Sequence, residues 1–507
     1  MTILEKEDTV AAGVSSGNSG LGCTGYDAPP GSLEQRLLRR SIQIHQNLYR
    51  SFGLSHEHVR KCGSLVVAWT NTELKELENV LKANKEAGDT DACILTRDEL
   101  LALEPGLSPE ALGAVLLPRE AVVEPWLVPI AYAESARQLG VRIETSRLVT
   151  GVSLNADDAW CLHTCGSNDQ SSGRSKRGEI YSRFEPNRLN NHLDDKKVFT
   201  SKIVINCAGL FGDEVERMRS RAIQTHAVTT SNHSDIDLYD PPTFTVTPRK
   251  GQYIVFKSPV PNEKTYLSDI QQLKLPQHII EPVATEFTKG VIVWTTIYGN
   301  VIVGPTAVDV SSKCDRSTDQ DTIEMLRKYA EKVIPSLKYA EIVGTYSCLR
   351  PATQYRDYQI YQIPKQNWIT VGGIRSTGLT ACSGIGEYVG NLYQKLKNYD
   401  EQFHENTFSE ESKLLGVTES ADNPDPIKAI IGKSTPQMVF PTLAQLAADY
   451  KKNINTKDMD GYVTIFGRPM RVTHPISSFG MEHYAVPSLS RDNAVSNVKE
   501  ISLTSTR

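Results

Sequence analysis

The chain predicts an α/β protein of two domains, α+β in its overall grouping, and three observations carry that expectation. Glycine-rich strand-to-helix turns lie far apart, at 13–25, 206–212 and 372–380. A block over 242–350 that alternates like antiparallel strand separates the second turn from the third. The helix reading from Trp126 to Leu139 stops at Gly140 and passes at once into Val141-Arg-Ile-Glu144, a handover that belongs to α/β chains.

Taken in order, Thr2-Ile3-Leu4 before Glu5 reads as the end of a buried strand closing on a carboxylate. That arrangement suits the ribose hydroxyls of a dinucleotide. In such folds the acid follows a glycine-rich phosphate loop by about 20 residues, and none is read ahead of Thr2. GVSSGNSGLGCTGYDAPPG, residues 13–31, holds too much Gly and Ser for a helix interior or an ordinary strand. Ser32-Leu-Glu-Gln35 then makes a capping-box pattern, opening an amphipathic helix with Leu33, Leu37, Ile44 and Leu48 among its apolar positions. A second helix from Thr72 carries Leu74, Leu77 and Leu81 on one face and ends at Gly88. Polar stretches at 155–197 and 219–241 read as solvated insertions. Between them, Ile203-Val-Ile205 is a buried strand ending in Asn206-Cys-Ala-Gly209 and starting a helix. Thr245–Phe256 and Trp294–Val303 read as antiparallel strands, the latter turning at Tyr298-Gly-Asn300. Trp368-Ile-Thr-Val371 is again a buried strand, and Gly372-Gly373 launches a helix to about Leu396. A mixed tail follows, with a turn-rich piece at 461–480.

The totals exclude several classes. A net charge of -5 argues against a broad nucleic-acid surface, which needs clustered Lys and Arg. No apolar run reaches the roughly 18 residues of a membrane-spanning helix. Nine scattered Cys, odd in number and without a CxxC pair, read as reduced thiols of an intracellular compartment, cytoplasmic or mitochondrial. Cys161-x3-Cys165 around His163 lacks a second ligand pair, so no metal site is expected.

The stretches LEKED, SSGNSG, GYDAPPGSL, CGSLVVA, EPGL, VINCAGL, PRKGQY, VIVGPTA, LRPAT and VGGIRSTGLT together span roughly three-quarters of the chain. In order and spacing they resemble the flavin-dependent oxidoreductase superfamily that includes D-amino-acid oxidase. Within it they resemble the glycerol-3-phosphate dehydrogenase and L-2-hydroxyglutarate dehydrogenase branch. The resemblance implies a Rossmann-like FAD-binding domain from 1–60, 120–218 and 346–398, with 155–197 inserted. It implies an antiparallel substrate cap from 61–119 and 219–345, then an extension over 399–507. It also implies a missing first strand and phosphate loop of about 30 residues, and hence weak FAD retention by the 507-residue chain.

By position, the resemblance gives Glu5 to the adenosine ribose and Ser15, Ser16, Asn18 and Ser19 to the pyrophosphate and flavin edge. Val152 would lie near the adenine and Ala208-Gly209 against the dinucleotide, with Gly373, Gly378, Leu379 and Thr380 meeting the flavin. That last helix N-terminus would set a positive dipole near the ring. Arg350 resembles the family arginine that binds a carboxylate or phosphate, and a guanidinium fork suits either. Arg249, Lys250 and Arg375 are further substrate-binding candidates.

The expected activity is oxidation of a small anionic alcohol, glycerol 3-phosphate or a 2-hydroxy acid such as L-2-hydroxyglutarate, by hydride transfer to flavin N5. The electron acceptor stays open among a quinone, an electron-transfer protein and oxygen. Alternatives are an amino-acid or amine oxidase, or a homologue that no longer binds FAD and serves as a binding protein. Many members of the resembled branch carry a His shortly after the NSG turn, where this chain has Leu21-Gly-Cys23, so the catalytic base stays open, with Tyr298 and His226 candidates on residue type. The piece at 461–480, with Arg468, Arg471 and His474, reads as a packing strap ahead of a lid over the substrate mouth.

Overall fold

The computed structural model describes residues 1–166, 195–229, 244–257, 274–284, 290–363, 365–405, 438–454, 456 and 459–484. The side expected to hold the cofactor is built from two short parallel pairings. Strand Thr2–Leu4 runs beside Arg142–Glu144, with Thr2 opposite Arg142 and Leu4 opposite Glu144. Strand Val204–Asn206 runs beside Trp368–Gly372, and Gln359–Ile363 adds antiparallel to the outside. No described strand joins these two half-sheets. What links them is side-chain chemistry at their carboxyl ends. The Phe211 ring lies 5.3 Å from Lys6 Nζ and 5.5 Å from Lys313 Nζ.

Helices pack onto these pieces where their apolar faces dictate. Leu33–Ser51 opens as its sequence predicts, with Gln35 N–H donating to Ser32 Oγ at 3.1 Å, and Asp357 accepts the N–H groups of Leu33 and Glu34. It lies along Gly378–Glu405, which continues past the expected end at Leu396. Leu37, Leu38, Ala381, Leu392 and Leu396 share one core cluster. Gly384 lets the two backbones approach, since a Cβ there would stand 2.4 Å from Leu37 O. Helix Gly212–Thr229 occupies the start of the stretch expected to be a solvated insertion from 219, and residues 230–243 lie outside the described set. It carries the buried pair Arg219–Glu216 at 3.0 Å. Glu216 also accepts from Asn206 Nδ2, Trp368 Nε1 and Thr370 Oγ1, so the buried carboxylate is fully engaged.

The other expected insertion is narrower than 155–197. Trp160–Gly166 is a strand between Arg147–Leu154 and Lys197–Ser201, and Trp160 is buried against Trp368. Residues 167–194 lie outside the described set.

The cap is one large sheet. From one edge its order is Val308–Asp309, Val246–Phe256, Val301–Gly304, Ile292–Thr295, Ile279–Pro282, Ser64–Ala68, Gly113–Leu117 and Cys93–Thr96. Strand Ile342–Thr353 pairs with Val246–Phe256 along nearly its whole length. Pairings are antiparallel except Ile279–Pro282 with Ser64–Ala68. Alternation assigns the two faces. Ile254, Phe256, Val301 and Val303 face helix Gln320–Val333, meeting Leu326 and Ala330. Tyr253, Val255, Ile302, Tyr346 and Cys348 face the glycine turn at 13–22, meeting Val14 and Leu21.

Residues 438–454 and 459–484 hold helix Leu443–Asn453, a hairpin of Tyr462–Ile465 with Arg468–Arg471, and helix Pro475–His483. They pack with Trp126, Leu127, Ile130 and Tyr298 in one cluster, which gives the turn-rich piece the packing role expected of it. Residues 406–437 and 485–507 of the tail lie outside the described set.

Candidate active site

The first and third glycine turns meet. Thr380 Oγ1 accepts the Cys23 N–H at 3.1 Å and donates to Leu21 O at 3.4 Å. Leu379 packs toward the C-terminal cluster, and Gly378 opens helix Gly378–Glu405. Gly373 has φ +68°, and its missing Cβ makes room for the Gln359 side chain. The second turn carries Ala208, whose N–H donates to Asn206 Oδ1 at 3.2 Å, and Gly209 at φ +56°.

Two cofactor-side observations bear on a dinucleotide. At both Gly13 and Gly209 a Cβ would meet nothing within 4 Å, so the backbone is open to close approach. Glu5 sits at the carboxyl end of its strand, where its Oε1 accepts the Glu7 N–H at 2.9 Å, and burial raises its pKa. An acid at that place fits a ribose diol. In the first turn, Ser16 is buried and Asn18 is spent on the turn itself, accepting the Gly20 N–H at 2.8 Å. Ser15 is exposed and Ser19 half-buried. Val152 packs toward Trp160, Val204 and Trp368. The residues therefore fit the ribose end and the flavin end of FAD, while no described helix N-terminus stands between the half-sheets for the pyrophosphate.

The candidate cations divide sharply. Arg249 is forked onto Asp309 at 2.6 and 2.9 Å, which raises the guanidinium pKa and lowers that of Asp309. Lys250 is buried, with Nζ 3.0 Å from Asp315 and 3.1 Å from Ser317. Arg375 donates to Arg356 O at the rim. Arg350 donates from Nε to Arg249 O at 3.2 Å and from Nη2 to Thr306 O at 2.6 Å. Burial lowers its pKa, and no carboxylate pairs with it among the described residues.

The base candidates both fall into structural pairs. Tyr298 is buried and donates to Glu124 Oε1 at 3.1 Å, and burial raises its pKa far above the free phenol. His226 bonds Asp158 at 2.9 Å, beside the hairpin of Arg147–Leu154 and Trp160–Gly166. His163 bonds Ser153 at 2.8 Å, and no group of three or more metal-ligating side chains occurs among the described residues. Sequence reasoning missed Glu120, a buried acid that accepts both Thr24 N–H and Oγ–H next to Cys23. It also missed Arg316, which reaches the first glycine turn from a polar loop.

A family model described as FAD dependent oxidoreductase matches residues 1–392. The chain belongs to that family. Its cofactor is FAD, and it is an FAD-dependent oxidoreductase. Among its relatives, a glycerol 3-phosphate dehydrogenase of Caloramator mitchellensis is 25% identical over 397 residues, covering 78% of this chain and 69% of that protein. A glycerol 3-phosphate oxidase of Mycoplasma pneumoniae is 26% identical, covering 76% and 86%. An L-2-hydroxyglutarate dehydrogenase of Nematostella vectensis is 25% identical over 42% of each chain. The structure of an L-alpha-glycerophosphate oxidase from Mycoplasma pneumoniae with FAD bound superposes with a TM-score of 0.59 at 24% identity, over 78% of this chain and 88% of that one. The oxidoreductase thus shares its fold with a flavoprotein over 78% of its length. Among its described residues, no helix is long and apolar enough to cross a membrane.

Proposed function

We propose that this oxidoreductase oxidises a small anionic alcohol, glycerol 3-phosphate or a 2-hydroxy acid such as L-2-hydroxyglutarate. The observation that carries the reading is Arg350, half-buried on strand Ile342–Thr353 and forming no ion pair with a carboxylate among the described residues. A guanidinium so placed is satisfied by an oxyanion ligand. The relatives named for glycerol 3-phosphate and L-2-hydroxyglutarate support the same class.

FAD, when bound, supplies the hydride acceptor. Glu5 would hold its ribose, the open turns at Gly13 and Gly209 would lie along its backbone, and the Gly378–Thr380 turn would face the ring. The chain's own part is to anchor and enclose. Arg350 grips the anionic end, and Arg249 and Lys250 stiffen the strand beside it through Asp309 and Asp315. The stacked rings of Tyr253 and Tyr346, 4.4 Å apart, wall the same face and keep water out. Fixing the anion orients the carbinol carbon, which is where most of the positioning advantage arises. The nine free thiols support a reducing compartment, cytoplasm or mitochondrion.

Anaerobic addition of glycerol 3-phosphate or L-2-hydroxyglutarate to the FAD-loaded protein should bleach the flavin absorbance. Bleaching by amino acids alone would sink this reading. Arg350→Ala should raise KM for the anionic alcohol by about tenfold or more, the worth of a charge-assisted pair.

A further inference from the structure

Residues 8–12 join two places proposed above to grip the dinucleotide. Ahead of them Glu5 is fixed by the neighbouring strand: its N–H donates to Glu144 O at 2.9 Å, and its carbonyl accepts the Arg147 N–H at 2.8 Å. After them the first glycine turn is fixed at Gly20, whose carbonyl accepts the Val123 N–H at 2.8 Å. The joining stretch is irregular, and Ala11 stands at φ +59°, a left-handed conformation that a residue with a Cβ adopts only at a cost.

What holds Ala11 there comes from the strap over 461–480. Arg471 forms an ion pair with Asp8, and Thr473 Oγ1 donates to Ala11 O at 2.8 Å. Val10 and Ala11 pack against the cluster that contains Val463, Ile465 and Val472. His474 is fully buried; burial lowers its pKa, and the Asn18 carbonyl beside it opposes that. Among the described residues, no other side chain bonds the stretch from Asp8 to Ala11.

The strap can hold strain because it is itself anchored on the cap. The His474 ring lies 6.3 Å from that of Tyr346. A Cβ at Gly344 would stand 2.2 Å from Phe479 Cζ, and one at Gly480 would stand 2.2 Å from Tyr298 Cδ2, so both rings need the glycine they cover. Ser477 and Tyr298 both donate to Glu124, which also accepts the Leu127 N–H. The strap lies beyond residue 392, where the family match ends.

We propose that Arg471, Thr473 and His474 form a clasp on the cofactor loop, which sets the spacing between Glu5 and the first glycine turn and thereby the affinity for FAD. A dinucleotide reaching both places needs their separation fixed beforehand, or part of its binding energy goes into ordering the loop. The need is sharper here because no described strand joins the two half-sheets. The clasp acts on the cofactor loop, and so holds whichever alcohol is oxidised.

The test uses the full-length protein, stripped of FAD and titrated with it by fluorescence, with hydrogen–deuterium exchange of the apoprotein read by mass spectrometry. Thr473→Val keeps the shape and removes the donor, and should weaken FAD by about threefold to tenfold, the range of one net hydrogen bond. Arg471→Gln should weaken it less, by about twofold to fourfold, because that ion pair is half-exposed. Amides of residues 8–18 should exchange faster in both variants, while those of Val246–Phe256 and Ile342–Thr353 keep the parent rate. Thr473→Val should cost less affinity when combined with Ala11→Gly, since glycine populates the left-handed region unaided. An apoprotein melting midpoint near that of the parent confirms that each variant is folded.

Unchanged FAD affinity in Thr473→Val overturns the proposal. Tighter binding overturns it too, and makes the strap an obstruction to the cofactor. Weaker FAD with unaltered exchange over 8–18 also overturns it, because the strap would then act elsewhere. An equal loss in the Ala11→Gly background overturns the role given to the left-handed turn.

Discussion

The cap and the cofactor side of this flavoprotein are built to different standards. The cap is a continuous sheet whose strands carry fully buried residues, with Ile254, Phe256, Val301 and Val303 all at 0% exposure. The cofactor side is two short parallel pairings, tied to each other and to the cap by side chains: Lys6 and Lys313 at Phe211, Thr380 at Cys23, Arg316 at Ser16. The first strand even leaves Ile3 at 37% exposure. Hydrophobic burial holds the cap whether or not a ligand is bound, whereas a ligand lying across the glycine turns would add much of what holds the other side.

The largest effect should come from the cap core. Phe256→Ala should cost about 3–5 kcal/mol in urea or thermal unfolding, as removal of a buried aromatic ring does. A cost near zero would mean that the cap is not the stable half. Next, Glu5→Gln should weaken FAD by about tenfold or more while leaving the unfolding midpoint of the apoprotein nearly unchanged. Fluorescence titration of the apoprotein with FAD reads the first, a thermal melt the second, and an apoprotein midpoint that falls instead would make Glu5 a structural acid.

Acid should discriminate the halves as well. Burial pushes His474, wedged beside Tyr346 under the cap, down to about 3 from 6.5, and His45 on the cofactor-side helix down to about 4. Both folded values lie below the unfolded one, so the unfolded chain takes up each proton first. Stability is therefore full above about pH 6.5 and falls as pH drops toward those values. By pH 5 His474 alone should remove roughly 2 kcal/mol. His474→Phe should flatten that slope in melts from pH 7 to 5, and an unaltered slope would remove His474 as its source. The smallest effect is expected at the first strand, where Ile3→Ala should cost under about 1 kcal/mol, because the side chain is already partly in water.

Much of the architecture was legible because glycine and periodicity are local signals. Ser32 and Gln35 open their helix as read, and Gly140 ends its helix and hands over to a strand. Val246–Phe256 and the hairpin around Tyr298 alternate as expected. The start of the insertion was misplaced because residues 155–159 are a polar turn, and the buried strand after it carries its signal mainly in Trp160. Helix Gly212–Thr229 ran past 219 because its polar residues are consumed in pairs such as Arg219–Glu216 and His226–Asp158, which composition alone reads as solvated.

For the site, the sequence by itself determined which residue types were available: an acid after the first strand, three glycine turns, an arginine between Leu349 and Pro351. Glycine's freedom at positive φ and the fixed period of a strand are properties of the residues, so they survive without a fold. Only the tertiary structure decided which cations are neutralised. Asp309, Asp315 and Thr306 lie far along the chain from Arg249, Lys250 and Arg350, and charge pairing depends on distance in space. That is why, of four candidate cations, Arg350 is bonded only to backbone carbonyls among the described residues, while Arg249 and Lys250 are held by carboxylates.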